Sequence, residues 1–306
     1  IISDRSQWSP DDGHVQWIDG KNAAADTGAQ EESENTRERH ITWNVNSLRR
    51  RWLAGELVEF ILKYKPTTLH LTEIKTDLLS LHLPWELRET LKGLGYAHCV
   101  WSWNTAKKSD GSADHGNFGS AVLSRVKIND VRFGIGHETI DKEGRVITGT
   151  IGSKTFIWCY APCSHFDTED KRSKIREAWD SCLLNYYDKI AKERNGPVFI
   201  FGDLNIAPTD GDCCGNIMRA SATYPSCTKR EREAHAHLLH KHDLVDAYLE
   251  THPDLRRNRG RGDGNSRHLS WERYDEKLKA VVKMRLDHLL APRSALAEND
   301  DQSLRS

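Results

Sequence analysis

The chain has 306 residues, 37% hydrophobic and 29% charged, with a formal net charge of -1. That length buries a full-sized core without disulfide or metal staples, which excludes small disulfide scaffolds and zinc knuckles. Mean hydropathy is -0.69, and the apolar runs fall far short of the roughly 18 residues of a membrane helix, so a soluble protein with no membrane partner is expected. Seven cysteines without framework spacing fit a reducing, intracellular compartment. The chain opens on Ile1 rather than Met, as a processed chain or a fragment would.

Residues 1–37 carry eight acids against three bases, and the remainder is mildly basic. The first stretch lacks sustained apolar periodicity and reads as a disordered acidic leader, with one folded domain over 38–306. From His40 short apolar runs alternate with helical patterns, the sign of an α/β layer architecture. Ile41–Val45 and Thr68–Thr72 read as buried strands, and Leu53, Leu57, Phe60, Ile61 and Tyr64 as a helical stripe between them. Phe118–Leu123, Val126–Phe133, Val146–Ile151 and Thr155–Tyr160 form a run of β-like segments. A long helix follows, with Ile175, Trp179, Cys182, Leu183, Tyr186 and Ile190 on one face. Val198–Phe201 then reads as a strand entering the turn GDLNIAPTDGD.

Polar clusters stand at the ends of predicted strands: Asn44 and Asn46 in TWNVNSLR, Glu73 in LHLTEIK, and Asp203 and Asn205 in FIFGDLN. Asp287 in MRLDHLLAP is expected to follow the same rule. Any one of these fits ordinary turn chemistry, but together they read as a site assembled at a sheet rim. Oxygen ligands without a Cys/His set suit Mg²⁺, with Mn²⁺ as a substitute, which takes one or two carboxylates plus water and a substrate phosphate. Glu73 is the expected metal ligand, with Asn44 contributing its carbonyl. Hydrolysis of a phosphodiester needs a base and donors for the growing charge; Asp203 fits the first role, Asn205 and Tyr160 the second.

The blocks TWNVNSLR, LTEIK, GNFGSAVLSR, DKEGRVI, YAP, GDLNIAPTDGD, TKRERE, DLVDAYLETHP and MRLDHLL occur in an order and spacing that resembles the exonuclease III family of apurinic/apyrimidinic endonucleases, within the endonuclease/exonuclease/phosphatase superfamily. The resemblance implies a four-layer sandwich of two mixed β-sheets packed face to face and flanked by helices. It places Asn44 and Glu73 at the metal, Tyr160, Asp203 and Asn205 in catalysis, and Asp287 as the carboxylate that orients a catalytic His. It implies Mg²⁺-dependent cleavage 5′ to an abasic site, with 3′-5′ exonuclease or 3′-phosphodiesterase activity, by a monomer on abasic duplex DNA. A nucleus or other DNA-containing compartment would follow in a eukaryote.

Three positions depart from that pattern: Cys163 replaces an Asn, Met284 an aromatic of the extruded-sugar pocket, and Asn117 lies near a commonly aromatic position. The family's terminal Ser-Asp-His segment is also expected beyond the 19 residues that follow Asp287, which points to a missing last strand. Two alternatives stay open: an RNA 3′ exonuclease or retroelement nicking domain, and a degenerate homologue that binds nucleic acid without cleaving. Arg49, Arg50 and Arg51 are expected to contact phosphate, and for Arg256, Arg257, Arg259 and Arg261 contact and solvation are evenly weighed. Trp271 reads as core, whereas Trp101 and Trp103 fit either core or base stacking. His235, His237, His240 and His242, with Cys213, Cys214 and Cys227, match no standard zinc spacing, which favours packing.

Overall fold

Two strand–helix–strand crossovers organise the chain, and each supplies the parallel pair of one mixed sheet. The computed structural model describes residues 8–9, 14–18, 38–76, 84–108, 111–112, 114, 116–164, 171–214, 224–253, 269–276 and 278–296. The chain divides into the units Ile1–Ile151 and Gly152–Ser306.

The first unit contains β1 (Trp8–Ser9), β2 (His14–Ile18), β3 (His40–Asn44), α1 (Leu48–Leu53), α2 (Glu56–Tyr64), β4 (Thr68–Thr72), α3 (Pro84–Gly93), β5 (His98–Ser102), β6 (Ser120–Ser124), β7 (Asn129–Phe133), α4 (Glu138–Asp141) and β8 (Val146–Ile151). Its main sheet runs β1-β2-β5-β6-β4-β3. Only β3 and β4 are parallel, joined over α1 and α2 as a parallel pair requires. Every residue of β4 is buried, including the polar Thr68, His70 and Thr72 that alternate with Leu69 and Leu71. The core gathers Leu48, Leu57, Ile61, Leu69, Leu71, Leu87, Leu91 and Trp101, with Phe60 packed against it.

Several expected boundaries shift for local reasons. The single stripe from Leu53 to Tyr64 is two helices, broken at Gly55 with φ 75°, and Leu53 is left 59% exposed. Phe118 and Gly119 have positive φ, so β6 starts only at Ser120. Within the leader expected to be disordered, His14–Ile18 pairs antiparallel with β5. The local HVQWI run, rich in β-favouring Val, Trp and Ile, supplies a strand that the polar composition around it concealed.

The second unit contains β9 (Lys154–Tyr160), α5 (Lys171–Glu193), β10 (Val198–Asp203), a 3₁₀ turn at Asp210–Asp212, β11 (Cys213–Cys214), α6 (Lys229–Lys241), β12 (Leu244–Asp246), α7 (Ala247–Thr251), β13 (Trp271–Asp275), β14 (Ala280–Met284) and β15 (Asp287–Pro292). Here the mixed sheet runs β12-β15-β10-β9, with β9 and β10 parallel across α5 and β15 antiparallel to β10. The small sheet β11-β14-β13 is antiparallel. The buried face of α5 is Arg176, Trp179, Leu183, Tyr187 and Ile190, rotated from the expected stripe so that Tyr187 rather than Tyr186 faces the core. The fold class is therefore α/β, two mixed sheets flanked by helices.

Candidate functional site

In the second unit three of the expected catalytic residues form one row. Asp203, the last residue of β10, is the ladder partner of Tyr160 on β9 and of Asp287 on β15. Asp287 was expected after the C-terminal end of a strand, whereas it begins one. Because β15 runs antiparallel to β10, its start lies beside the end of β10, and the carboxylate reaches the same rim. Opposed like charges destabilise a ladder, so this pairing is a cost carried at the site. Burial pushes the Asp287 carboxyl up from the ordinary carboxylate range, opposed by its hydrogen bond with Ser270.

The turn after β10 locks the row from behind. The Asn205 backbone N–H donates to Asp203 Oδ1 at 3.0 Å, and Asn205 Nδ2 donates to the Ala161 carbonyl at 2.8 Å. Asn205 sits at φ 45°, a left-handed conformation that Asn tolerates better than most residues. Arg176 Nη1 fixes that turn by donating to the carbonyls of Asn205 at 2.8 Å and Pro162 at 3.0 Å. Asp203, Asn205 and Tyr160 are all buried, so the carboxylate is held by the ladder and by fixed donors. Such a group can accept a proton beside amide and phenol donors suited to a developing negative charge.

Sequence reasoning missed the support of this row. Arg285 donates to Asp212 Oδ1 at 2.8 Å and to Asp246 Oδ2 at 2.7 Å. His288, the neighbour of Asp287, is buried; its Nδ1 lies 3.1 Å from Asp246 Oδ2 and its Nε2 donates to the Ile206 carbonyl at 2.9 Å. Burial works to raise Asp246, but hydrogen bonding and charge from His288 and Arg285 outweigh it and hold the carboxyl well below its usual range. His288 is thus an anchor: alternation along β15 puts it on the face opposite Asp287. No local spacing marked these residues, since Asp212 and Arg285 stand 73 residues apart and Asp246 and Arg285 39.

In the first unit Asn44 ends β3 and Glu73 follows β4. Asn44 Nδ2 donates to Glu73 Oε1 at 3.0 Å, and Asn44 Oδ1 accepts from the Asn46 backbone N–H at 3.1 Å. Lys75 Nζ bridges Glu73 Oε2 at 2.8 Å and Asn46 Oδ1 at 2.6 Å. Asn46, Ser47, Glu73 and Lys75 all have positive φ, a strained arrangement held by cross-turn bonds such as Ser47 N–H to Glu73 O at 2.9 Å. Arg49 and Arg50 are exposed. Arg51 is committed elsewhere: its Nε donates to the Val45 carbonyl at 3.0 Å, its Nη1 pairs with Glu56, and the guanidinium lies 5.8 Å from the Trp43 ring centre.

The remaining candidates are mostly structural. Trp101 and Trp103 are buried, and Trp271 packs against the cluster of Tyr224, Val282 and Met284. Met284 is itself buried, with its sulfur 3.6 Å from that of Cys227. In the EGR block Arg145 donates to Glu143 at 2.5 Å, and a Cβ on Gly144 would lie 2.6 Å from the Ser102 carbonyl, so only glycine fits between them. The RER block opens α6: Glu231 completes a capping box with Thr228, and Arg232 holds Ala207 and Asp210 of the loop after β10. His235 is buried in α6, while His237 and His240 are exposed. Arg256, Arg257, Arg259 and Arg261 lie outside the described residues.

The metal side has a defined chemistry. Among the described residues no group of three or more His, Cys, Asp or Glu could hold an ion. Glu73 and Asn44 offer only oxygens, a donor set that fits a hard cation which keeps most of its water and one or two protein ligands.

The family model described as "Endonuclease/Exonuclease/phosphatase family" matches residues 41–305. An exodeoxyribonuclease of Bacillus subtilis is 29% identical over 215 residues, covering 70% of this chain and 76% of that protein. DNA repair nuclease APEX1 of Danio rerio is 29% identical over 213 residues, covering 70% and 62%. Among solved structures, a 3′-5′ exonuclease from Neisseria meningitidis aligns with a TM-score of 0.63 at 26% identity, covering 83% of this chain and 87% of its own. An AP endonuclease from Archaeoglobus fulgidus aligns with the same TM-score at 23% identity, covering 84% and 87%, a likeness of fold. With relatives named as exodeoxyribonucleases and AP endonucleases, the chain belongs to the endonuclease/exonuclease/phosphatase family, in its nuclease branch.

Proposed function

We propose that residues 38–306 form a Mg²⁺-dependent endonuclease domain that hydrolyses the phosphodiester 5′ to an abasic site in duplex DNA, acting as a monomer. The observation that carries this reading is the row of Tyr160, Asp203 and Asp287 across three adjacent strands, with Asn205 locked onto Asp203. Asp203 takes the proton of the attacking water. Asn205 and Tyr160 donate to the phosphate as negative charge grows on it. Asp287 is a positioning carboxylate beside the base. Glu73 and Asn44 would hold Mg²⁺, or Mn²⁺ in its place, which when bound supplies Lewis-acid stabilisation of phosphoryl charge. Exposed Arg49 and Arg50, with Asn46, contact the DNA backbone.

A 3′-end trimming activity is the companion reading. It rests on two solved structures at 26% identity, whose titles describe a 3′-5′ exonuclease and a 3′ phosphatase bound to a product DNA hairpin. The test is incision of matched duplexes carrying one abasic site, a 3′-phosphate at a nick, or no lesion, alongside single-stranded RNA, with and without Mg²⁺. Mg²⁺-stimulated cleavage 5′ to the lesion, well above that of intact duplex, is expected. Equal or faster cleavage of the RNA would overturn the abasic-site reading in favour of another nuclease of the family.

A further inference from the structure

Outside the row of catalytic candidates, the second unit holds two thiols in direct contact. Cys213 begins β11, immediately after the 3₁₀ turn Asp210–Asp212, and Cys227 immediately precedes Thr228, the N-cap of α6. Their sulfurs are 3.3 Å apart, and the residues are only 4% and 1% exposed. The backbone already holds the two segments together. The Ala207 N–H donates to the Ser226 carbonyl at 2.7 Å, and Arg232 reaches back from α6 to Ala207 O at 3.0 Å and Asp210 Oδ1 at 2.8 Å. Contraction to a bonded distance of about 2.0 Å therefore asks for a rotation of side chains more than a shift of chain.

We propose that Cys213 and Cys227 are a reversible thiol–disulfide pair, a redox modification site that staples the loop after β10 to the head of α6. The division of labour follows from their surroundings. The contact with Cys227 lowers the Cys213 thiol against the effect of burial, with the Arg232 charge assisting. The same contact, together with burial, raises Cys227. Cys213 is thus the attacking thiolate and Cys227 the resolving thiol. Cys99 and Cys159 are buried and raised by desolvation, Cys99 to about 12, so they do not compete.

The oxidant is hydrogen peroxide. The Cys213 thiolate attacks a peroxide oxygen, the O–O bond breaks, and the departing hydroxide takes a proton to leave as water. Cys213 is then a sulfenic acid. The Cys227 sulfur attacks that sulfur, the S–S bond forms, the S–O bond breaks, and the thiol proton leaves with the hydroxyl as a second water. The two thiols together give two electrons to the peroxide. The consequence lies in Asp212, which sits between the stapled residue and Arg285: fixing Cys213 fixes the turn whose carboxylate holds Arg285 at 2.8 Å. The Met284 sulfur packs against the pair, 3.6 Å from that of Cys227.

The test treats the whole protein with dilute hydrogen peroxide and follows it by alkylation, intact mass, peptide mapping and thermal melting. The expected result is loss of two alkylatable thiols, a mass lower by two hydrogens, a cross-linked peptide joining Cys213 to Cys227, and a thermal midpoint raised by roughly 5 °C. Dithiothreitol should reverse all four. In Cys227→Ser, Cys213 should stop at a sulfenic acid that dimedone traps, and in Cys213→Ser dimedone should find nothing at Cys227. Peptide mapping of the wild type needs neither variant to fold. Cross-links through Cys163 or Cys182 with Cys213 still alkylatable would overturn the proposal. So would protection of both thiols without the mass loss, which would indicate a bound soft cation instead.

Discussion

Tyr160, Asp203 and Asp287 are placed by sheet register, whereas Glu73 is placed by a turn, and Asn44, the ladder partner of Thr72, stands where β3 runs into one. In the second unit each residue of the row is a ladder partner of its neighbour, so none can move without breaking backbone hydrogen bonds. In the first unit Asn46, Glu73 and Lys75 have positive φ, and side-chain contacts among Asn44, Asn46, Glu73 and Lys75 fix their aim. The comparison teaches that one cue, a polar residue at a strand end, is realised with different rigidity. The ladder row suits a group that must meet a proton in a fixed geometry. The turn-placed Glu73 suits a ligand that exchanges an internal partner, the Lys75 ammonium at 2.8 Å, for an external cation.

The contrast is broken most severely at the base. Asp203→Asn should lower kcat by about 10²–10⁴-fold with an unchanged melting temperature, read by single-turnover incision of an abasic duplex. Glu73→Gln should act differently, raising the Mg²⁺ concentration for half-maximal rate by roughly 10–100-fold and recovering part of the rate at high Mg²⁺. A Glu73→Gln defect insensitive to Mg²⁺ would make both regions equally rigid in function.

A smaller effect concerns stability and pH. Burial lowers His70 to about 3, and burial with the nearby His288 lowers His235 to about 3. Between an ordinary value near 6.5 and that depressed value the unfolded chain binds protons that the folded chain refuses, so stability must fall as pH falls below about 6.5. Each histidine contributes a slope of up to about 1.4 kcal/mol per pH unit. His235→Asn should flatten the urea midpoint between pH 7 and pH 5 relative to wild type. Smallest is the salt dependence of DNA binding: Arg49→Ala with Arg50→Ala should flatten the log–log slope by about two units, and Arg51→Ala should leave it unchanged because Arg51 is held by Val45 and Glu56.

Much of this was legible in the chain. The strands Thr68–Thr72, Val146–Ile151 and Val198–Asp203 stand where β-favouring stretches of Val, Ile, Leu, Phe and Thr stand, although polar residues of β4 are buried with the leucines. Glu73 and Asp203 were legible as carboxylates that close such stretches. Asp287 was legible as a residue but not as a position, since sequence does not reveal that β15 runs antiparallel to β10. The ion network of Asp212, Arg285, Asp246 and His288 was missed because its members are joined only by tertiary contacts, Asp212 and Arg285 standing 73 residues apart. Arg51 read as one of three equivalent arginines, and its contacts with Val45, Trp43 and, across the α1–α2 break, Glu56 separate it.

Register as the device that places the site is tested most directly by a paired measurement at Asp287 and His288, adjacent residues on opposite faces of β15. Asp287→Asn should cut kcat on an abasic duplex at least about tenfold with the thermal midpoint unchanged, since burial already disfavours its charge. His288→Gln should lower the midpoint by several degrees, through its bonds to Asp246 and Ile206, and leave kcat of the folded protein intact. The reverse pattern, a collapsed kcat at His288 with normal stability and a silent Asp287, would contradict the account.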